Sequence, residues 1–117
     1  MLSPKEVARL AVEALEEKNA KDIKVLKTED LTVLANYFVI CTATSSTHIK
    51  TLADEVEHAR EAQAEPPRRN EGVRAGGWVL IDFGCVVVHL FLQESREFYN
   101  LERLWGDAEV VQLRVNN

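Results

Sequence analysis

The chain has 117 residues, of which 46% are hydrophobic and 28% are charged, and its net charge at neutral pH is −5. This composition is that of a single globular domain, and its acidity argues against direct binding to nucleic-acid phosphates, which requires a basic surface. The apolar runs are too short to cross a membrane and no signal peptide is visible, so we expect a cytoplasmic protein.

The N-terminal half predicts a helix, two strands and a second helix. Ser3 and Glu6 form a capping-box pattern around Pro4, so a helix begins there and continues to about Asn19. Residues 23–27 alternate in polarity and predict a strand. Residues 37–41 are continuously apolar and predict a central strand buried on both faces. Helix-capping residues 44–47 then start a second helix that ends near residue 62.

The C-terminal half predicts a connection, a hairpin and small helices. Residues 65–77 form the connection, with a short strand around residues 71–74. Residues 78–92 form the hairpin, residues 94–99 and 101–105 form helical turns, and residues 110–117 add an edge strand or fray. The order predicts one α+β domain, residues 1–109, in which helices pack on one face of a mixed sheet, followed by a tail.

The hairpin register follows from a two-residue turn at Gly84-Cys85. Because side chains alternate between the two faces of a strand, the turn places six apolar residues on one face, which we assign to the core. The pairs are Phe83 with Val86, Ile81 with Val88, and Val79 with Leu90.

The opposite face of the hairpin is mixed in polarity. It carries Trp78, Leu80, Asp82, Val87, His89 and Phe91. The protein's own helices cover this face, with Asp82 and His89 paired beneath them, or the face is a patch for a partner. Aromatic anchors among a few polar groups are typical of interface hot spots.

Residues with catalytic or metal-binding spacing are missing from the sequence. The three histidines have no metal-ligand spacing, and no phosphate-binding glycine motif occurs. A triad of Ser46, His89 and Asp82 lacks a nucleophile elbow, and an acid–base pair of Asp82 and His89 lacks a nucleophile. We therefore predict no enzyme activity, cofactor or metal, and we interpret Cys41 and Cys85 as buried thiols.

Four segments resemble the ribosomal silencing factor family, also called Iojap-like. They are Asn-Tyr-Phe-Val-Ile-Cys at residues 36–41, Trp-Val-Leu-Ile-Asp-Phe-Gly at 78–84, Val-Val-Val-His-Leu-Phe at 86–91, and residues 96–108. The resemblance covers nearly the whole chain. It departs at Asn36, where the family usually has Asp, and at Cys85, where it has Asp or a similar polar residue.

The resemblance implies a partner and a mechanism. Members bind the fourteenth protein of the large ribosomal subunit, sterically block joining with the small subunit and so repress translation. Organellar members act in large-subunit assembly, which is the alternative function. Homodimers are common. The family's fold is a mixed sheet flanked by helices, related to nucleotidyltransferases but without their catalytic carboxylates. That enzyme alternative requires a Gly-Ser turn and an Asp-x-Asp pattern, which residues 44–46 and those after them lack.

Combined with the hairpin, the resemblance yields a predicted partner-binding site. Trp78 and Phe91 are expected to anchor the partner, and Asp82 to meet its basic groups. The predicted site also includes His89, Glu97 and Tyr99.

Overall fold

The computed structural model describes residues 3–33, 35–61, 69–73 and 77–111. Its elements in chain order are α1 Pro4–Glu17, β1 Lys21–Lys27, β2 Tyr37–Ala43, α2 Ser46–Glu61, β3 Arg69–Val73, β4 Trp78–Asp82, β5 Val86–Leu92, α3 Gln93–Tyr99, α4 Leu101–Leu104 and β6 Glu109–Val111. The α+β class is confirmed. β6 spans the boundary predicted between the domain and the tail, and the rest of the tail lies outside the described residues.

The six strands form one mixed sheet in the order β3-β4-β5-β2-β1-β6. β2 and β5 pair in parallel, and the other neighbouring strands are antiparallel. Every residue of β2 is buried, which confirms the prediction of a central strand. A central strand needs apolar side chains on both faces, and this explains the uninterrupted apolar run.

The predicted hairpin register is confirmed. Val79 pairs with Leu90, and Ile81 pairs with Val88. Gly84 has a φ of 86°, a left-handed value that glycine adopts without steric cost at the first position of such a turn.

Helices cover both faces of the sheet. The flanked sheet that the resemblance implies is therefore confirmed, and the expectation from element order that helices pack on one face is wrong. α1 and α2 bury the larger core, which includes Ile81, Val88 and Leu90 from the hairpin. On the opposite face a smaller core forms around Phe38 and Phe91, against which α4 and the turn after it pack through Leu101, Trp105 and Ala108. α3 and α4 are too short to display an amphipathic stripe, and their packing face therefore could not be inferred from periodicity.

α1 begins as its capping box predicts. The Ser3 hydroxyl accepts a hydrogen bond from the Glu6 amide at 3.2 Å, and the Glu6 carboxylate accepts one from the Ser3 amide at 3.3 Å. No helix in the described ranges is both long and apolar enough to span a bilayer.

Candidate functional site

Four ring side chains form a cluster on the face of the sheet that carries the smaller core, near the N-terminal end of β4. The Trp78 indole Nε1 donates a hydrogen bond to His89 Nδ1 at 3.2 Å. The ring centroid of Trp78 lies 5.1 Å from that of Phe91 and 4.7 Å from that of Tyr99. We call Trp78, His89, Phe91 and Tyr99 the aromatic cluster. It joins the hairpin to α3.

His89 is a structural member of this cluster. Burial lowers the pKa of His89 to about 4, so the ring is neutral at physiological pH. Because Nδ1 accepts the Trp78 hydrogen bond, the proton of the neutral ring is on Nε2. Among the described residues, Nε2 has no hydrogen-bond partner. The ring also makes an edge contact with Phe38, at a centroid distance of 4.9 Å.

Asp82 does not pair with His89. The Asp82 carboxylate Oδ1 instead accepts a hydrogen bond from the Gly84 amide at 2.7 Å and so stabilises the hairpin turn. Asp82 is at the opposite end of β4 from Trp78, about 13 Å away at the usual strand rise. The structure therefore supports neither the predicted pair of Asp82 and His89 nor a triad that contains them.

The residues of the predicted partner-binding site differ in how much of each side chain is exposed. Phe91 is 1% exposed and His89 is 4% exposed, so neither side chain offers appreciable surface to a partner in this structure. Both lie on β5, the neighbour of the central strand. Trp78 of β4 contacts both rings, Tyr99 of α3 contacts Phe91, and Phe38 of β2 contacts His89. Trp78 is half-buried, and both Tyr99 and Glu97 are exposed.

Exposed apolar side chains lie beside the cluster, where α3 meets α4. Phe98 is 81% exposed, Leu104 is 72% exposed and Tyr99 is 38% exposed. Together with Glu97, Asn100 and Arg103 they line a surface cavity of about 530 Å³. We call Phe98, Tyr99 and Leu104 the α3–α4 corner. The sequence analysis identified Tyr99 but missed Phe98 and Leu104.

Asn100 creates the corner by ending one helix and starting the next. Its backbone is left-handed, with φ 43° and ψ 60°, a conformation that asparagine tolerates better than most residues. The Asn100 side-chain oxygen accepts a hydrogen bond from the Arg103 amide at 3.2 Å and caps α4. The sharp bend projects Phe98 and Leu104 outward. The available sequence signal was an Asn between two helical patterns.

The segment that carries the corner is acidic. Residues 93–109 contain Glu94, Glu97, Glu102, Asp107 and Glu109 against only two arginines. One of these arginines, Arg96, is buried. The surface around the corner therefore favours a basic partner and disfavours nucleic-acid phosphates.

The two cysteines have different environments. Cys41 is buried, as predicted, and burial raises the pKa of its thiol to about 12. Cys85 is only half-buried, and its carbonyl accepts hydrogen bonds from the amides of Asn36 and Tyr37 at 2.7 and 3.2 Å. The two positions that depart from the family pattern, Asn36 and Cys85, are thus neighbours in space, at the hairpin-turn end of the sheet.

Comparison with protein-family models gives a match that covers nearly the whole chain. Residues 2–117 match the family described as "Ribosomal silencing factor during starvation". The chain belongs to the ribosomal silencing factor family.

Relatives and solved structures support this membership. The "Ribosomal silencing factor RsfS" of Halalkalibacterium halodurans is 38% identical over 96% of both chains. The mouse "Mitochondrial assembly of ribosomal large subunit protein 1" is 35% identical, over 82% of this chain and 43% of its own. A crystal structure of a Chromobacterium violaceum protein has a TM-score of 0.86 and 38% identity, and covers 90% of this chain and 88% of its own.

Proposed function

We propose that this silencing-family protein binds the large ribosomal subunit through the α3–α4 corner and the adjacent Trp78. Its partner there is the fourteenth protein of that subunit, and occupation of that site sterically blocks joining with the small subunit. The protein acts in the cytoplasm as a repressor of translation. The single observation that carries the proposal is the group of exposed apolar side chains beside a stacked tryptophan.

The physical argument concerns Phe98, Tyr99 and Leu104. A contiguous apolar patch that stays exposed on a small protein commonly marks an interaction site. Tyrosine and tryptophan are enriched among hot-spot residues because they bury a large area with little loss of conformational freedom. Tyr99 is already held against Trp78, so its side chain is partly ordered before a partner arrives.

Electrostatics support a basic ribosomal protein as the partner. Residues 93–109, which include the corner, carry five acidic side chains against two arginines, and Glu97 lines the corner cavity. Complementary charge mainly increases association rate and specificity. We retain Trp78, Glu97 and Tyr99 as proposed contacts. Phe91 and His89 support Trp78 and Tyr99 from beneath. A contact through Asp82 requires a partner that also reaches the hairpin-turn end of the sheet.

A role in large-subunit assembly is the second candidate. The printed name of the mouse relative refers to assembly of the mitochondrial large subunit. An assembly factor would use the same surface but bind precursors of the subunit. Depletion of the protein from cells distinguishes the two functions. If the protein is a silencing factor, mature subunits should join more readily after depletion; if it is an assembly factor, large-subunit precursors should accumulate.

Sucrose-gradient sedimentation of purified subunits tests the proposed function. We expect the protein to migrate with the large subunit and to reduce the fraction of joined ribosomes. Trp78→Ala should weaken binding by about 2 kcal/mol or more, since truncation of a hot-spot aromatic typically has this effect. Lys50→Ala, a change of an exposed residue on α2, is the matched control and should bind normally.

Two outcomes would contradict the proposal. In one, the protein fails to migrate with the large subunit. In the other, it binds while the fraction of joined ribosomes is unchanged.

Self-association is a separate proposal, in which a second copy occupies the same corner. It predicts that an excess of large subunits converts dimers to subunit-bound monomers, measurable by analytical ultracentrifugation.

A further inference from the structure

We infer that Arg96 is the positioning residue of the α3–α4 corner, an inference that rests on the proposed function. Its guanidinium group fixes the two short helices on the sheet and so presents Phe98, Tyr99 and Leu104 to the partner. Arg96 itself is 8% exposed and does not contribute to the contact surface.

The hydrogen bonds of Arg96 join four elements. From α3, Nη1 donates to the Asp22 carbonyl oxygen on β1 at 2.6 Å and to the Thr42 hydroxyl on β2 at 2.8 Å. Nε donates to the carboxylate of Glu102 on α4 at 3.0 Å. One side chain therefore connects both helices of the corner to two neighbouring strands of the sheet.

The β1 backbone provides an acceptor for this arrangement. The pairing of β1 with β2 shifts between Lys21 and Lys24, and Asp22 lies in this irregularity with a φ of 49°. A residue in a bulge is left out of the regular ladder, so its carbonyl can accept a bond from elsewhere. Arg96 Nη1 therefore has two acceptors, the Asp22 carbonyl oxygen and the Thr42 hydroxyl.

The corner depends on this polar contact because its helices contribute little buried apolar surface. Arg96 is the only buried residue of α3, and α4 has none. Helices of seven and four residues are not stable on their own. Partly buried Leu101 and the following Trp105 provide the apolar packing. The orientation of α3 relative to α4 is therefore fixed largely through Arg96 and Glu102.

Charge reinforces the position of Glu102. Its carboxylate also lies 2.9 Å from the Lys24 ammonium, and the hydrogen bonds from Arg96 and then Lys24 lower its pKa. Lysine at position 96 would preserve the charge but lose the planar fork that allows Nε and Nη1 to bond in different directions. Tyr99 follows Arg96 by one helical turn, and the Asn100 amide donates to the Arg96 carbonyl at 2.9 Å.

Arg96→Lys tests the inference, with Ser3→Ala as a control that destabilises α1 far from the corner. We expect Arg96→Lys to weaken binding to purified large subunits at least tenfold, and Ser3→Ala to leave it within twofold. Amide hydrogen exchange should accelerate in residues 96–105 but not in α1 or α2. Glu102→Gln keeps an acceptor for Arg96 and should cause a smaller loss, which provides a second variant if Arg96→Lys folds poorly.

A double-mutant cycle distinguishes positioning from general destabilisation. If Arg96 acts through the corner, Arg96→Lys should change affinity less than twofold in a Tyr99→Ala background, or in Phe98→Ala if Tyr99→Ala abolishes binding. The inference would be overturned if the losses of affinity from the two substitutions multiplied fully in the double variant. It would also be overturned if Arg96→Lys left amide hydrogen exchange at residues 96–105 unchanged. If Tyr99→Ala and Phe98→Ala themselves bind normally, the proposed docking surface fails instead, and the exchange result still decides whether Arg96 orders the corner.

Discussion

The two faces of the sheet are built by different means. One face is covered by α1 and α2, and its core consists mainly of aliphatic and small apolar side chains such as Leu15, Leu52 and Val88. The other carries the aromatic cluster, a buried arginine, and the α3–α4 corner with its exposed apolar side chains. Under the proposed function, the two faces have different roles: the first supplies folding stability and the second presents the proposed recognition surface.

The largest expected effect comes from the face covered by α1 and α2. Leu52 on α2 is fully buried, so Leu52→Ala should lower the free energy of unfolding by about 2–5 kcal/mol, through lost transfer free energy and the cavity left behind. Denaturant titration measures this loss. Affinity for the large subunit, corrected for the folded fraction, should be unchanged. A direct loss of affinity in the folded protein would break the division between the faces.

A smaller effect, visible only with changing pH, comes from the aromatic cluster. The pKa of His89 is about 4 in the folded protein and about 6.5 in an unfolded chain. The unfolded state therefore binds more protons between these values. The contribution of the neutral ring to stability is complete above about pH 6.5 and declines as the pH falls towards 4, by roughly 3 kcal/mol in total.

Substitution of His89 isolates this contribution. His89→Gln should flatten the dependence of unfolding free energy on pH between about 6.5 and 4. His58→Gln, which changes an exposed histidine on α2, is the matched control and should retain the wild-type profile. An unchanged profile in His89→Gln would show that the imidazole is not held neutral beneath Trp78, and the account of the cluster would need revision.

The face covered by α1 and α2 was predictable because its signals are local and periodic. The α1 capping box, the apolar run of β2 and the alternation around Gly84 each determine structure over a few residues. These signals correctly gave the α+β class and the hairpin register. They also placed Ile81 and Val88 in the core.

The face that carries the proposed recognition surface was less predictable because its structure depends on contacts distant in sequence. Arg96 is buried by acceptors on β1 and β2, 74 and 54 positions away in the chain, and periodicity carries no record of such contacts. Alternation correctly placed Phe91 and His89 on the second face, but it could not show that α3 and α4 would cover them. The exposure of Phe98 and Leu104 follows from the left-handed Asn100, a conformation that the surrounding helical pattern concealed.

The most direct test of the central claim is the affinity of purified large subunits for a protein altered only at exposed corner residues. The double variant Phe98→Ala/Leu104→Ala removes highly exposed side chains, so its unfolding free energy should remain within about 0.5 kcal/mol of wild type. The account predicts at least a tenfold loss of affinity for this variant, with Lys50→Ala within twofold of wild type. Equal affinity of the double variant and the wild-type protein would contradict the claim that the α3–α4 corner recognises the ribosome.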